Sequence, residues 1–257
     1  MRGEVLLGRR TFHEGERREA APALGVGRRE MEARELARMI DHTLLRPEAT
    51  REDIERLCRE AIEHRFKAVC VNPYYVPQAR GLLAGTGIEV CTVIGFPLGA
   101  TSARAKLAEA VAAVEAGATE LDMVMNVGAF LSGEEAVVRD DIRGVVEAAE
   151  DVPVKVILET GFLSSEEISR ACLLAAEAGA AFVKTSTGFG PRGASVEDVR
   201  IMKEAVGDRL GIKASGGIRD RETALTMIRA GATRIGTSSG VAIVAGEAGP
   251  VSDPEGA

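Results

Sequence analysis

Four charged residues interrupt four successive apolar runs of this chain. Asp122 stands in Leu121-Asp122-Met123-Val124, Lys155 in Val154-Lys155-Val156-Ile157, Lys184 in Phe182-Val183-Lys184 and Lys213 in Ile212-Lys213-Ala214. An ammonium group in apolar surroundings is costly, because desolvation disfavours its charged form. The same desolvation, helped by neighbouring ammonium groups, favours the neutral amine that attacks a carbonyl. One such lysine is most simply a surface or strand-edge residue. Four charges in successive runs are a charged row, and buried charge requires partners, which Asp122 and Glu159 can supply. The chemistry these types point to is covalent catalysis on a carbonyl carbon, with a carboxylate moving protons.

Such a row needs elements that hold it. From Met31 onward, helical stripes alternate with short runs of β-formers starting near Ile40, Ala68, Val90, Glu120, Val152, Ala181, Gly211 and Thr233. Helical patterns fill 51–65, 74–84, 101–116, 133–149, 164–178, 195–206 and 220–230. Ser164 with Glu167 and Ser195 with Asp198 have the spacing of helix caps. The tripeptide Ala-Gly-Ala recurs at Gly117, Gly179 and Gly231, each time between a helix and a strand, where a left-handed residue ends the helix. Eight strands with helical crossovers predict a single-domain α/β fold, the (β/α)8 TIM barrel, over 31–245. An open doubly wound sheet is the alternative, but no GxGxxG turn follows the first strand. Alternation places Asp122 with Val124 and Asn126, Lys155 with Ile157 and Glu159, Lys184 with Phe182 and Ser186, and Lys213 with Ser215. If these sets face inward, the charges open toward the C-terminal mouth.

Small donors follow the last three strands: Thr185-Ser186-Thr187-Gly188, Ser215-Gly216-Gly217 and Gly236-Thr237-Ser238-Ser239-Gly240. Barrels of this kind often bind phosphate after strands seven and eight, at the start of a short extra helix. The run from Ser239 to Ala245 is placed to be that helix. Beside the lysines, these turns predict a small phosphorylated carbonyl compound as substrate. His42 either lines the pocket or serves structure, and His64 sits at a helix end. Met123 and Met125 read as core. The cysteines Cys58, Cys70, Cys91 and Cys172 lack ligand-like spacing and read as buried free thiols. No metal or nucleotide motif is present.

The net charge of −7 argues against a nucleic-acid partner. No apolar run approaches the ~20 residues of a membrane span, so no membrane partner is expected. Residues 1–30 mix arginines and glycines with glutamates and read as a mobile extension; 246–257 reads as a polar tail. The thiols fit a reduced, cytoplasmic setting.

The segments IDHTLL, LDMVMN, VKVILET, VKTSTGF, KASGGIR and GTSSG, in this order and spacing, resemble those of the deoxyribose-phosphate aldolases. The resemblance spans about residues 36–245. It implies a TIM barrel and a class I aldolase, without metal or other cofactor, that reversibly cleaves 2-deoxy-D-ribose 5-phosphate to D-glyceraldehyde 3-phosphate and acetaldehyde. It assigns Lys184 as the Schiff-base lysine, Lys213 as the neighbour that lowers its pKa, and Asp122 as the acid/base acting through a water. Lys155 and Asp41 match further polar positions. Thr187, Gly188, Gly216, Gly217, Ser238 and Ser239 fall to substrate and phosphate binding, and Cys70 matches a cysteine near the site in some members. A homo-oligomer, dimer or tetramer, is implied. The chain departs from members that end in an active-site tyrosine, since its only tyrosines are Tyr74 and Tyr75. Another class I aldolase or a transaldolase-like enzyme acting on a phosphorylated ketose, or a non-catalytic phosphosugar-binding barrel, would share many of these features.

Overall fold

A computed structural model describes residues 31–247. The expectations for 1–30 and for the tail beyond 247 lie outside the described residues. Eight parallel strands close into a barrel in chain order. They are β1 (Ile40–Leu44), β2 (Ala68–Val71), β3 (Glu89–Ile94), β4 (Glu120–Val124), β5 (Val154–Ile157), β6 (Phe182–Lys184), β7 (Gly211–Ser215) and β8 (Arg234–Thr237). The ring closes where β8 pairs with β1, Asp41 opposite Gly236.

Among the described residues, ten helices surround the barrel: α1 (Ala33–Ala37), α2 (Arg51–His64), α3 (Val76–Leu82), α4 (Ala103–Glu115), α5 (Val127–Leu131), α6 (Glu135–Ala148), α7 (Ser165–Glu177), α8 (Val196–Val206), α9 (Arg221–Ala230) and α10 (Gly240–Ala245). Their starts follow local chemistry. Thr50, Ser102, Ser164, Ser195 and Asp220 each accept the N–H three residues on. Ser164 and Glu167 form the reciprocal box that their spacing predicts. At Ser195 the reciprocal half is missing, because the Asp198 carboxylate is taken by Arg192 and Thr160. Gly117, Gly179 and Gly231 have φ of 101°, 89° and 124°, so the recurring tripeptide does end helices in a conformation that suits glycine.

Two segments differ from the periodicity. Asn126 leaves the β4 alternation and caps α5, accepting the Ala129 N–H at 3.1 Å. The pattern at 74–84 resolves into a single 3-10 turn at Pro73–Tyr75 and then α3, because Pro77 favours a helix's first turn.

The apolar core lies outside the barrel wall. Leu121, Met123, Val156, Val183, Ile212 and Ile235 point outward and pack against Ile142, Ile168, Val199 and Met227 of the helices. The inward faces carry Asp41, Glu120, Asp122, Lys155, Lys184, Lys213 and Arg234, all nearly or fully buried. All four cysteines are buried and free. Among the described residues, no helix is long and apolar enough to cross a membrane.

Candidate active site

Parallel register builds the charged row strand by strand. Asp122 pairs with Lys155, Lys184 with Lys213, Lys213 with Arg234, and Cys70 with Cys91. Residues opposite one another in a parallel pair share a face, so one inward charge on each strand aligns its neighbours.

Asp122 is the hub. Its Oδ1 lies 2.8 Å from Lys155 Nζ, and its Oδ2 lies 2.9 Å from Lys184 Nζ and 2.8 Å from Lys213 Nζ. Lys213 also reaches Asp41 at 2.6 Å, and Lys155 reaches Glu120 at 2.7 Å. Beneath them Arg234 bridges Asp41 at 2.7 Å and Glu120 at 2.9 Å, with its guanidinium over the Phe182 ring. The Cys91 thiol donates to Asp122 Oδ1 at 3.1 Å and accepts from Lys155 at 3.3 Å.

Burial alone would push the Asp122 carboxyl up, but Lys155, Lys184 and Lys213 outweigh it and hold the group well below its usual range. Asp41 is likewise held low against burial by Lys213, Lys155 and Arg234. Burial opposes the charge on Lys155 and Lys213, yet the surrounding carboxylates, Asp122 foremost, raise both above the ordinary lysine value. Four basic groups (Lys155, Lys184, Lys213, Arg234) face three carboxylates (Asp41, Glu120, Asp122). The basic groups outnumber these carboxylates, so the lysines share acceptors. Lys184 bonds a single carboxylate, one that it shares with two other lysines. It also stands at the C-terminal end of its strand, facing the mouth.

The expected binding turns lie at that mouth. Those after β6 and β7 interlock: Ser215 Oγ donates to the Ser186 carbonyl at 2.6 Å, and the Ala194 N–H is shared by the Ser215 and Gly216 carbonyls. Gly193 leaves no room for a side chain, since a Cβ there would lie 2.2 Å from the Gly216 oxygen. Gly188, Gly216 and Gly217 have φ of 91°, 87° and 78°. The Thr237 hydroxyl ties the third turn to the second by donating to the Ile218 carbonyl at 2.6 Å, and it accepts the Ser239 N–H. Ser238 is exposed and Ser239 buried. The Ser186 hydroxyl, two residues beyond Lys184, is buried with no intramolecular partner.

Other sequence candidates fall elsewhere. His42 points out of the barrel, 2.6 Å from Glu60 on α2, with its ring against Phe66. His64 also stacks on Phe66. Glu159 was expected to neutralise a lysine. It is instead turned by a left-handed backbone onto Thr187, and Asp41 and Glu120 serve the lysines. Glu120, Arg234 and Cys91 are site residues that the row did not announce. Glu120 could have been reached by counting back two residues from Asp122, and Arg234 by counting back two from Gly236.

Two buried donor sets, Cys70-Cys91-Asp122 and Asp41-Cys91-Glu120, bring three potential metal ligands within 4.8 Å. Their carboxylates are already bonded to ammonium or guanidinium groups, which a dication would have to displace. The donors therefore do not fit a metal centre. What the arrangement offers is a lysine beside a shared carboxylate beneath hydroxyl- and glycine-rich turns.

The profile of the DeoC/LacD family aldolases matches residues 35–246. A deoxyribose-phosphate aldolase of Brevibacillus brevis is 59% identical over 207 residues, covering 80% of this chain and 94% of the relative. One of Methanothermobacter thermautotrophicus is 59% identical over 213 residues, covering 82% and 95%. The solved deoxyribose phosphate aldolase of Aeropyrum pernix, described as tetrameric, superposes with a TM-score of 0.78 at 40% identity, covering 83% of this chain and 91% of that one. The chain therefore belongs to the DeoC/LacD family of aldolases.

Proposed function

We propose that this protein reversibly cleaves 2-deoxy-D-ribose 5-phosphate to D-glyceraldehyde 3-phosphate and acetaldehyde through a Schiff base on Lys184. The observation that carries the reading is the position of Lys184. It is the member of the row that opens to the mouth, and it has one shared carboxylate as its ion partner. The neutral amine adds to the C1 aldehyde of the open-chain sugar, and loss of water gives an iminium. A base removes the C3 hydroxyl proton as the C2–C3 bond breaks, and its electrons flow into the iminium to leave an enamine. D-Glyceraldehyde 3-phosphate departs. Protonation of the enamine at C2 and hydrolysis release acetaldehyde and restore the amine. Asp122, acting through a water, with Lys213 beside it, serves these proton transfers. Positioned acid–base groups of this kind typically contribute ~10²–10⁴-fold. The turns at Thr187–Gly188, Gly216–Gly217 and Ser238–Ser239 receive the phosphate, with Lys155 and Asp41 holding the polar floor. Residues 31–245 are the catalytic domain.

A homo-oligomer is part of this reading, as described for the Aeropyrum pernix protein. Four free buried thiols fit the reducing cytoplasm.

Borohydride reduction in the presence of acetaldehyde, followed by peptide mapping, tests the proposal. An ethyl adduct on Lys184 is expected, with none in Lys184→Ala. Trapping by dihydroxyacetone phosphate but not acetaldehyde would instead indicate a ketose-specific aldolase, and binding of the sugar phosphate without any adduct would indicate a non-catalytic barrel.

A further inference from the structure

Three described residues other than glycine have positive φ: Arg65, Glu150 and Glu159. Arg65 and Glu150 are exposed residues that follow helices, where such a conformation is common. Glu159 follows a strand instead and is only 3% exposed, with φ 54° and ψ 60°. A side chain held in this region costs free energy, which the surroundings must offset.

The left-handed backbone ends the run of β5 and turns the carboxyl sideways, onto the turn that follows Lys184. Thr187 donates both its N–H, at 3.3 Å, and its hydroxyl to that carboxyl. The Thr187 hydroxyl in turn accepts the Phe189 N–H at 3.0 Å. Gly190 closes over the group so tightly that a Cβ there would lie 2.6 Å from the Glu159 carboxyl carbon. The residues on either side of Glu159 are tied to the end of β6 and the residue after it: the Leu158 N–H donates to the Lys184 carbonyl and the Thr160 N–H to the Thr185 carbonyl, both at 2.9 Å. The strained residue is thus clamped against the reactive segment by its backbone neighbours and its side chain. Both donors of Thr187 are committed to it.

We propose that Glu159 is a positioning residue for the aldolase reaction, its carboxyl fixing the Thr187–Phe189 turn in the orientation that meets substrate beside Lys184. Thr187 then acts as a strut between Glu159 and the turn, leaving Gly188 to approach the ligand. The inference rests on Lys184 being the Schiff-base lysine. A fraction of an ångström at such a turn matters, since misplacement by ~1 Å can cost roughly 10²-fold in rate.

Glu159→Gly separates this role from plain structural support. It removes the carboxyl and also relieves the backbone, because glycine adopts φ 54° freely. We expect its Tm to equal or exceed that of the parent protein while kcat/KM for 2-deoxyribose 5-phosphate falls roughly 10²-fold. Glu159→Gln keeps an acceptor oxygen and should recover most of the rate. Thr187→Val, which removes the hydroxyl and leaves Glu159 in place, should lose rate in the same direction. A Glu159→Gly protein with parental kcat/KM overturns the inference. So does activity that only follows Tm across the three variants. Acetaldehyde–borohydride labelling of the parent protein keeps the two readings apart: an unlabelled Lys184 removes the Schiff-base assignment itself, whereas a labelled parent with an unaffected Glu159→Gly removes only the role of Glu159.

Discussion

Lys184 and Lys155 are both buried lysines bonded to Asp122, yet they should respond oppositely to removal. Without Lys184, Asp122 alone loses a partner and keeps Lys155 and Lys213, so Lys184→Ala should fold with nearly unchanged stability and lose almost all aldolase activity. Without Lys155, Asp122 and Glu120 each lose a partner inside the barrel. Lys155→Met should therefore cost ~3–5 kcal/mol in urea unfolding, as removal of one partner from a buried ion pair does. Equal stability losses in the two variants would contradict this difference in partners. The contrast also shows what sequence could reveal. A charge in the middle of an apolar run is conspicuous, and Asp122, Lys155, Lys184 and Lys213 stand out in that way. Glu120 and Arg234 open their strands, where polar residues commonly flank a run, and their burial was not visible. The conformation of Glu159 leaves no trace in sequence, because nothing about a glutamate announces a left-handed backbone.

Among the elements, the turns after β6 and β7 act as one piece, joined where Gly193 meets the Gly216 backbone. Gly193→Ala would force these turns apart. We expect a fall in kcat/KM for the phosphorylated sugar of roughly 10²-fold, with acetaldehyde trapping at Lys184 retained. Loss of trapping to the same degree would mean that the turn supports the lysine rather than the phosphate. The alternation of strands and helices was legible because caps, helix-ending glycines and apolar periodicity all agreed. The short helix α5 was not, because Asn126 continues the alternation of β4 and yet caps a new helix. The 3-10 turn at Pro73–Tyr75 was hidden for a similar reason, since prolines also occupy the first turn of an ordinary helix.

For the whole molecule, the ion cluster sets how stability depends on pH. Asp122 and Asp41 titrate lower in the folded chain than in the unfolded one, so their contribution is present above the unfolded carboxylate value of about 3.9 and fades as pH falls below it. Lys155 and Lys213 titrate higher when folded, so theirs is complete below the unfolded lysine value of about 10.4 and fades above it. Urea midpoints measured across pH should show a plateau between these limits with a fall on either side. Asp122→Asn should flatten the acid limb. A maximum confined to a narrow range near neutrality would show that groups outside the barrel dominate.

The bridge from Asp41 on the first strand to Arg234 on the last spans 193 positions of chain. That one contact links chemistry to folding order. In a chain that has formed only its first seven strands, Arg234 is not yet in place and Asp41 has not met its guanidinium, so the floor beneath the lysines is incomplete. Contacts this distant along the chain form late, because loop closure must precede them. Regain of aldolase activity should therefore lag the regain of helical signal during refolding and coincide with the joining of β8 to β1. Activity in this protein counts finished rings.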